Sequence, residues 1–170
     1  KSLKDKKVII SGSGNVALHA ALKALELGAL VVGISDSKGY LYDEKGLNID
    51  EIYNHKYIDG NSLESFDQTI YFDNSKALLS LKADIFLPCA KENEVSVSDL
   101  KGLIDNGVEL IAEGANLPLD LEAMDYIKST NLLYIPGKMA NTGGVIASCI
   151  EMRQNATYSV LEFSEVDQEL

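Results

Sequence analysis

The stretch Lys7-Val8-Ile9-Ile10-Ser11-Gly12-Ser13-Gly14-Asn15-Val16-Ala17 decides the fold. A short apolar run enters a glycine-rich turn, and an alanine-rich helix follows at once. In that order Gly12 permits a tight turn, Gly14 lets backbone approach a pyrophosphate, and Ala17 is small enough for the helix to lie close to its strand. The first turn of such a helix offers unpaired N–H groups and the positive end of a dipole to an anion. The amides of Gly12, Ser13, Gly14, Asn15 and Val16 are therefore the candidate diphosphate cradle. The plain alternative is a packing turn with no ligand.

Working outward, the helix spans Val16 to Leu27 and Gly28 stands where a left-handed terminator is expected. A second apolar run, Leu30-Val31-Val32-Gly33-Ile34, enters Ser35-Asp36-Ser37. The unit reads as β-α-β with parallel strands and a right-handed crossover. Asp36 lies 19 residues past Ala17, where an acid that accepts ribose hydroxyls follows the second strand.

Further on, Asn48 with Glu51, and Ser96 with Asp99, are capping patterns that open helices. Residues Gly39 to Gly46 alternate briefly like a hairpin arm, and Asn54 to Phe66 shows no regular pattern. Thr69 to Phe72 is expected to be a strand and Asn74 to Leu81 a short helix. Asp84 to Pro88 is a buried strand, and the loop from Cys89 to Glu94 lies past its carboxyl end, where open parallel sheets bind ligands. Strands follow at Glu109 to Ala112 and Leu132 to Ile135, with a helix from Pro118 to Lys128 between them. The Gly143-Gly144 pair opens a final helix on which Asn141 and Ser148, two turns apart, share a side. Alternating strands and helices predict a doubly wound, mostly parallel α/β sheet of the Rossmann type, with residues 1–170 as a single dinucleotide-binding domain.

With 170 residues, 46% apolar and 24% charged, the chain has enough apolar sequence for a packed core. Its net charge of −11 argues against nucleic acid and anionic membrane surfaces, which recruit basic patches. No apolar run is long enough for a membrane span, and no cleavable leader is evident. Cys89 and Cys149, lacking CxxC spacing, read as reduced thiols of an intracellular, cytoplasmic protein. Cys89 has no apparent histidine partner for nucleophilic work, and His19 and His55 stand apart from other acid or base groups. The acids are scattered rather than clustered, so no metal is predicted.

Four motifs taken in order carry a resemblance: Gly12-Ser13-Gly14-Asn15-Val16-Ala17, Leu87-Pro88-Cys89-Ala90, Ala112-Glu113-Gly114-Ala115-Asn116-Leu117-Pro118, and Pro136-Gly137-Lys138-Met139-Ala140-Asn141-Thr142-Gly143-Gly144-Val145. Together they resemble the cofactor-binding domain of hexameric glutamate dehydrogenases, within the wider amino-acid dehydrogenase group, over about Leu3 to Tyr158. The resemblance implies an enzyme that interconverts glutamate with 2-oxoglutarate and ammonium through a nicotinamide cofactor. The family's catalytic lysines and aspartate lie in an N-terminal substrate domain whose motifs are absent here. The chain is thus expected to bind cofactor without turnover, and to be a monomer although the parent enzyme is a homohexamer.

Asp36 by itself suits NAD, whereas Ser35-Asp36-Ser37-Lys38-Gly39 and Lys56 resemble NADP-dependent members; NADP is expected, with NAD as the alternative. By the same likeness Ala90 and Asn93 would face a cofactor ribose, Asn116 the nicotinamide ribose, Asn141 the carboxamide end, and Ser148 a substrate carboxylate. Lys138 reads either as an anion contact or as an ordinary surface charge, and Glu113 receives no assigned chemistry. The competing readings are the cofactor domain of another amino-acid dehydrogenase and a non-catalytic dinucleotide sensor.

Overall fold

The computed structural model describes residues 2–169. β1 (Lys7–Ser11) lies at the centre of a seven-stranded sheet with β2 (Leu30–Ser35), β3 (Gly39–Tyr42) and β4 (Tyr71–Asp73) on one side. β5 (Ile85–Pro88), β6 (Leu110–Ala112) and β7 (Leu133–Ile135) lie on the other. The order is β4-β3-β2-β1-β5-β6-β7, and every pairing is parallel except at β3, which runs antiparallel to both β2 and β4. Strand order reverses at β1, which pairs Val8 with Val31 on one side and with Ile85 on the other.

Alternation along β1 explains the layers, because successive side chains point to opposite faces. Val8 and Ile10 join Ala17, Leu18, Ala21, Ile49 and Ile52 in one core, while Ile9 joins Phe86, Leu100, Leu103, Ile111 and Ala123 in the other. Helices α1 (Asn15–Glu26) and α2 (Ile49–Tyr53) cover the first face; α3 (Val97–Asp105) and α4 (Leu121–Ile127) cover the second. Ala17 is fully buried, as close contact between α1 and the sheet requires, and Gly28 ends that helix with φ +84°.

Both capping patterns form. Asn48 Oδ1 accepts from Glu51 N, and Ser96 and Asp99 exchange side-chain and backbone bonds in a complete capping box. α2 then runs into a π turn over Asn54–Ile58, and a 3₁₀ turn covers Leu63–Ser65. His55 Nε2 ties the two turns, 3.0 Å from both Ser62 O and Ser65 Oγ.

Several expectations are corrected. The helix expected from Pro118 starts at Leu121, because Leu119 is buried in a bridge with Val95, and Asp120 is the cap, accepting from Ala123 N at 2.7 Å. The short helix expected from Asn74 to Leu81 forms as a 3₁₀ helix over Ser75–Ser80. The Gly143-Gly144 pair does open a long helix, α6 (Gly143–Thr157), but Asn141 caps the end of a separate short helix, α5 (Gly137–Ala140), and α7 (Phe163–Glu169) lies beyond. Asn141 therefore lies outside the helix that carries Ser148, and the shared face expected from their spacing does not exist.

Candidate functional site

Beyond the carboxyl ends of β1, β2 and β5, where strand order reverses, lies a cleft of about 740 Å³. Open α/β sheets bind ligands at this position. One wall is the turn from Ser11 to Gly14, another the β2 end from Ser35 to Lys38 with Lys56, and a third the loop of Ala90, Lys91, Asn93 and Glu94.

The two turn glycines have different reasons to be glycine. Gly12 has φ +85°, and a Cβ there would stand 2.9 Å from Ala90 Cα and 3.1 Å from Cys89 O. Gly14 has φ −82°, open to any residue, and a Cβ on it would meet nothing within 4 Å. At Gly14 the bare backbone simply borders the open cleft.

The first helical bond of α1 runs from Leu18 N to Gly14 O at 3.0 Å, so the amides of Asn15, Val16 and Ala17 precede the intrahelical ladder. No side chain caps this end and no acid occupies its first turn. Gly12 N is taken by Ser35 Oγ at 3.2 Å, which pins the turn to β2.

Asp36, anticipated as a ribose acceptor, has other partners. Its Oδ1 accepts from Lys38 N at 2.9 Å, Gly39 N at 3.0 Å and Tyr71 OH at 2.9 Å. Partial burial opposes ionisation, but the two amides, the phenol and nearby Lys56 outweigh it and hold the carboxyl below its ordinary value. Asp36 thus closes the β2–β3 turn. Ser37, Lys38 and Lys56 stand beside it on the wall, and Lys38 Nζ reaches Glu64 Oε2 at 3.2 Å across the rim.

Ser11 and Glu94 are cleft residues that sequence reasoning did not single out. Ser11 Oγ donates to Glu94 Oε1 at 2.8 Å and accepts from Cys89 N at 3.1 Å, while Ala90 N donates to Glu94 Oε1 at 3.4 Å. This chain ties the loop after β5 to the end of β1 and so sets Ala90 and Asn93. Burial pushes the Glu94 carboxyl above its ordinary value, against the pull of these donors and of Lys76 and Lys91. Burial, with the Glu94 charge beside it, also pushes the Cys89 thiol up to about 12, so Cys89 packs as a neutral thiol.

Asn116 and Asn141 meet away from the cleft lining. Asn141 Nδ2 donates to Asn116 Oδ1 at 2.9 Å and to Gly114 O at 3.2 Å. Beneath them the buried Glu113 carboxylate accepts from Tyr134 OH through one oxygen and from Gly137 N at 2.7 Å through the other. It thereby joins the ends of β6 and β7 to the start of α5. Ser148 is exposed on α6, where its hydroxyl donates to Gly144 O at 3.1 Å. His19 packs edge-on to Tyr53 and Tyr57 on the outer face of α1. Among the described residues no group of His, Cys, Asp and Glu is arranged to hold a metal ion, and no helix is long and apolar enough to cross a membrane.

Strand, glycine turn, helix and crevice at the sheet reversal together define a Rossmann-type α/β protein. The chain belongs to the Glutamate/Leucine/Phenylalanine/Valine dehydrogenase family, whose profile matches residues 1–170. It is 46% identical over its whole length to an NADP-specific glutamate dehydrogenase of a Psychrobacter species, and spans 39% of that relative. An NAD-specific glutamate dehydrogenase of Bacteroides fragilis is 42% identical over 99% of the chain, again across 39% of the relative. The crystal structure of Plasmodium falciparum glutamate dehydrogenase superposes with a TM-score of 0.89 at 35% identity, covering 96% of this chain and 36% of that one. The chain therefore spans well under half the length of these relatives.

Proposed function

We propose that this chain is the single cofactor-binding domain of a glutamate dehydrogenase, which interconverts glutamate with 2-oxoglutarate and ammonium in the cytoplasm. The observation that carries the reading is the cleft at the strand reversal, walled by a glycine turn whose Gly14 leaves room for a close anion and by the cations Lys38 and Lys56. That donor set fits a dinucleotide: free amides at an uncapped helix start for the diphosphate, and a serine with two lysines for a further phosphate. When bound, the nicotinamide supplies hydride acceptance and donation; the residues here hold and orient it.

In this reading Ser13, Gly14, Asn15 and Val16 present backbone amides to the diphosphate, while Gly12, whose own amide is taken by Ser35 Oγ, gives the turn its shape. Ser37 and Lys56 meet a 2′-phosphate, which favours NADP, while Asp36 shapes the turn that presents them. Ala90 and Asn93, fixed through Glu94, flank a ribose, and the bonded pair Asn116 and Asn141 serves the nicotinamide end. Ser148 contacts the substrate carboxylate. The NADP-specific names of relatives such as the Psychrobacter enzyme support the cofactor preference. The share of those relatives that this chain spans agrees with a substrate domain outside it; in this reading the parent enzyme is a homohexamer, and the chain on its own is a monomer without turnover.

Calorimetric titration of the chain with NADP⁺ and NAD⁺, alongside a glutamate oxidation assay, tests the reading. Binding of NADP⁺ tighter than NAD⁺, without turnover, is expected. Tighter NAD⁺ binding overturns the preference, and no binding of either coenzyme overturns the function.

A further inference from the structure

The reversed strand β3 does more than extend the sheet. It returns the chain so that β4 lies beside it, pairing Leu41 with Tyr71 and Gly39 with Asp73. From that register the Tyr71 ring crosses Gly39, where an added Cβ would run into Phe72 O and also stand 2.7 Å from Tyr71 Cζ, and the phenol reaches Asp36 Oδ1 at 2.9 Å. Glycine at position 39 thus admits both the β4 backbone and the Tyr71 ring on its way to the end of β2. The same oxygen already accepts from Lys38 N and Gly39 N. Three donors on one carboxylate oxygen leave that atom no capacity for another partner.

Resting on the cofactor reading above, the geometry points to Tyr71 as a specificity-determining positioning residue. By clamping Asp36 into its turn, it keeps an acid at the cleft wall from repelling the 2′-phosphate of NADP. An aspartate at the end of the second strand ordinarily suits ribose hydroxyls and opposes a phosphate there. Here its charge is spread over two amides and a phenol, and Ser37 and Lys56 stand beside it on the wall, while Lys38 pairs with Glu64 on the rim. Burial and the Asp36 charge raise the phenol's pKa, so Tyr71 remains a donor at neutral pH.

The test is calorimetry of NADP⁺ and NAD⁺ binding to the full-length protein and its Tyr71→Phe variant, which keeps the ring over Gly39 and deletes only the donor. The ratio of the NADP⁺ to the NAD⁺ dissociation constant should rise about tenfold, the factor equivalent to ~1.4 kcal/mol. The double variant Tyr71→Phe/Asp36→Asn, whose amide oxygen still accepts from the turn but carries no charge, should bring the ratio back to the parent's. An unchanged ratio in Tyr71→Phe, or equal weakening of both coenzymes, overturns the inference while leaving the cofactor reading intact. Failure of the parent protein to bind either coenzyme overturns both.

Discussion

Replacing each turn glycine with alanine should separate folding from binding, because the same methyl group meets opposite surroundings at the two positions. At Gly12 the backbone sits at φ +85°, where an L-residue costs roughly 1–2 kcal/mol. The new Cβ would also lie 2.9 Å from Ala90 Cα and 3.1 Å from Ala90 N and Cys89 O. Those are backbone atoms of a loop pinned through Ser11 and Glu94, so relief requires shifting the end of β5. The combined cost is set at about 2–4 kcal/mol, among the larger single-residue effects, and lowers the melting temperature by roughly 5–15 °C. At Gly14 φ is −82° and the Cβ meets nothing, so Gly14→Ala loses only the small N-cap preference for glycine, on the order of 0.5 kcal/mol. Its methyl instead occupies the approach of the diphosphate and should weaken NADP⁺ binding by at least tenfold. Thermal denaturation and calorimetric titration of both variants measure the two effects. A Gly14→Ala protein that binds like the parent, or a Gly12→Ala protein as stable as the parent, refutes the reasoning.

Burial raises the Glu94 carboxyl in the folded protein, so it contributes stability below the ordinary carboxyl pKa of about 4.3 and loses it as pH rises through the raised folded value. Glu94→Gln keeps Oε1 for Ser11 and Ala90, and should therefore raise the urea midpoint at pH 7 but not at pH 4 and tighten NADP⁺ binding a few-fold; a lower midpoint at pH 7 argues against it. Glu113→Gln leaves one oxygen for two donors, Tyr134 OH and Gly137 N, and should cost about 1–3 kcal/mol in urea unfolding at constant m. An unchanged midpoint would show that the Glu113 bonds do not hold the ends of β6 and β7.

What was legible in the sequence was local. The turn from Ser11 to Ala17, the Gly28 stop and the two capping pairs each specify backbone geometry within a few residues, and each is present in the structure. Errors arose where a distant partner outweighed a local signal. Pro118 is a good helix opener, but the backbone around it pairs with Val95, so the start moves to the better cap at Asp120. Two-turn spacing between Asn141 and Ser148 implied a common face only if the helix were continuous, and the Asn141 bonds to Gly114 and Asn116 hold it outside α6. Tyr71 and Glu94 carry no motif at all. Glu94 joins the cleft and Tyr71 reaches Asp36 in its wall because a strand-end loop and an antiparallel strand return to β1 and β2, and no short-range period encodes such a return.

The cleft also explains how a chain of net charge −11 can hold an anion. At physiological ionic strength the screening length is about 8 Å, so acids scattered over the surface contribute little at the glycine turn. What counts is the charge on the walls: Lys38, Lys56, Lys76 and Lys91 line the cleft beside Asp36, Glu64 and Glu94. Each acid there is restrained by a different means. Asp36 is clamped by two amides and a phenol, Glu64 is paired with Lys38, and Glu94 is biased by burial toward its neutral form. With Asp36 tied into its turn, Glu64 paired and Lys76 held by Asp99, the amides opening α1 together with Lys56 and Lys91 supply the attraction for an anion. Removing any one restraint should therefore weaken coenzyme binding without disturbing the sheet beneath it.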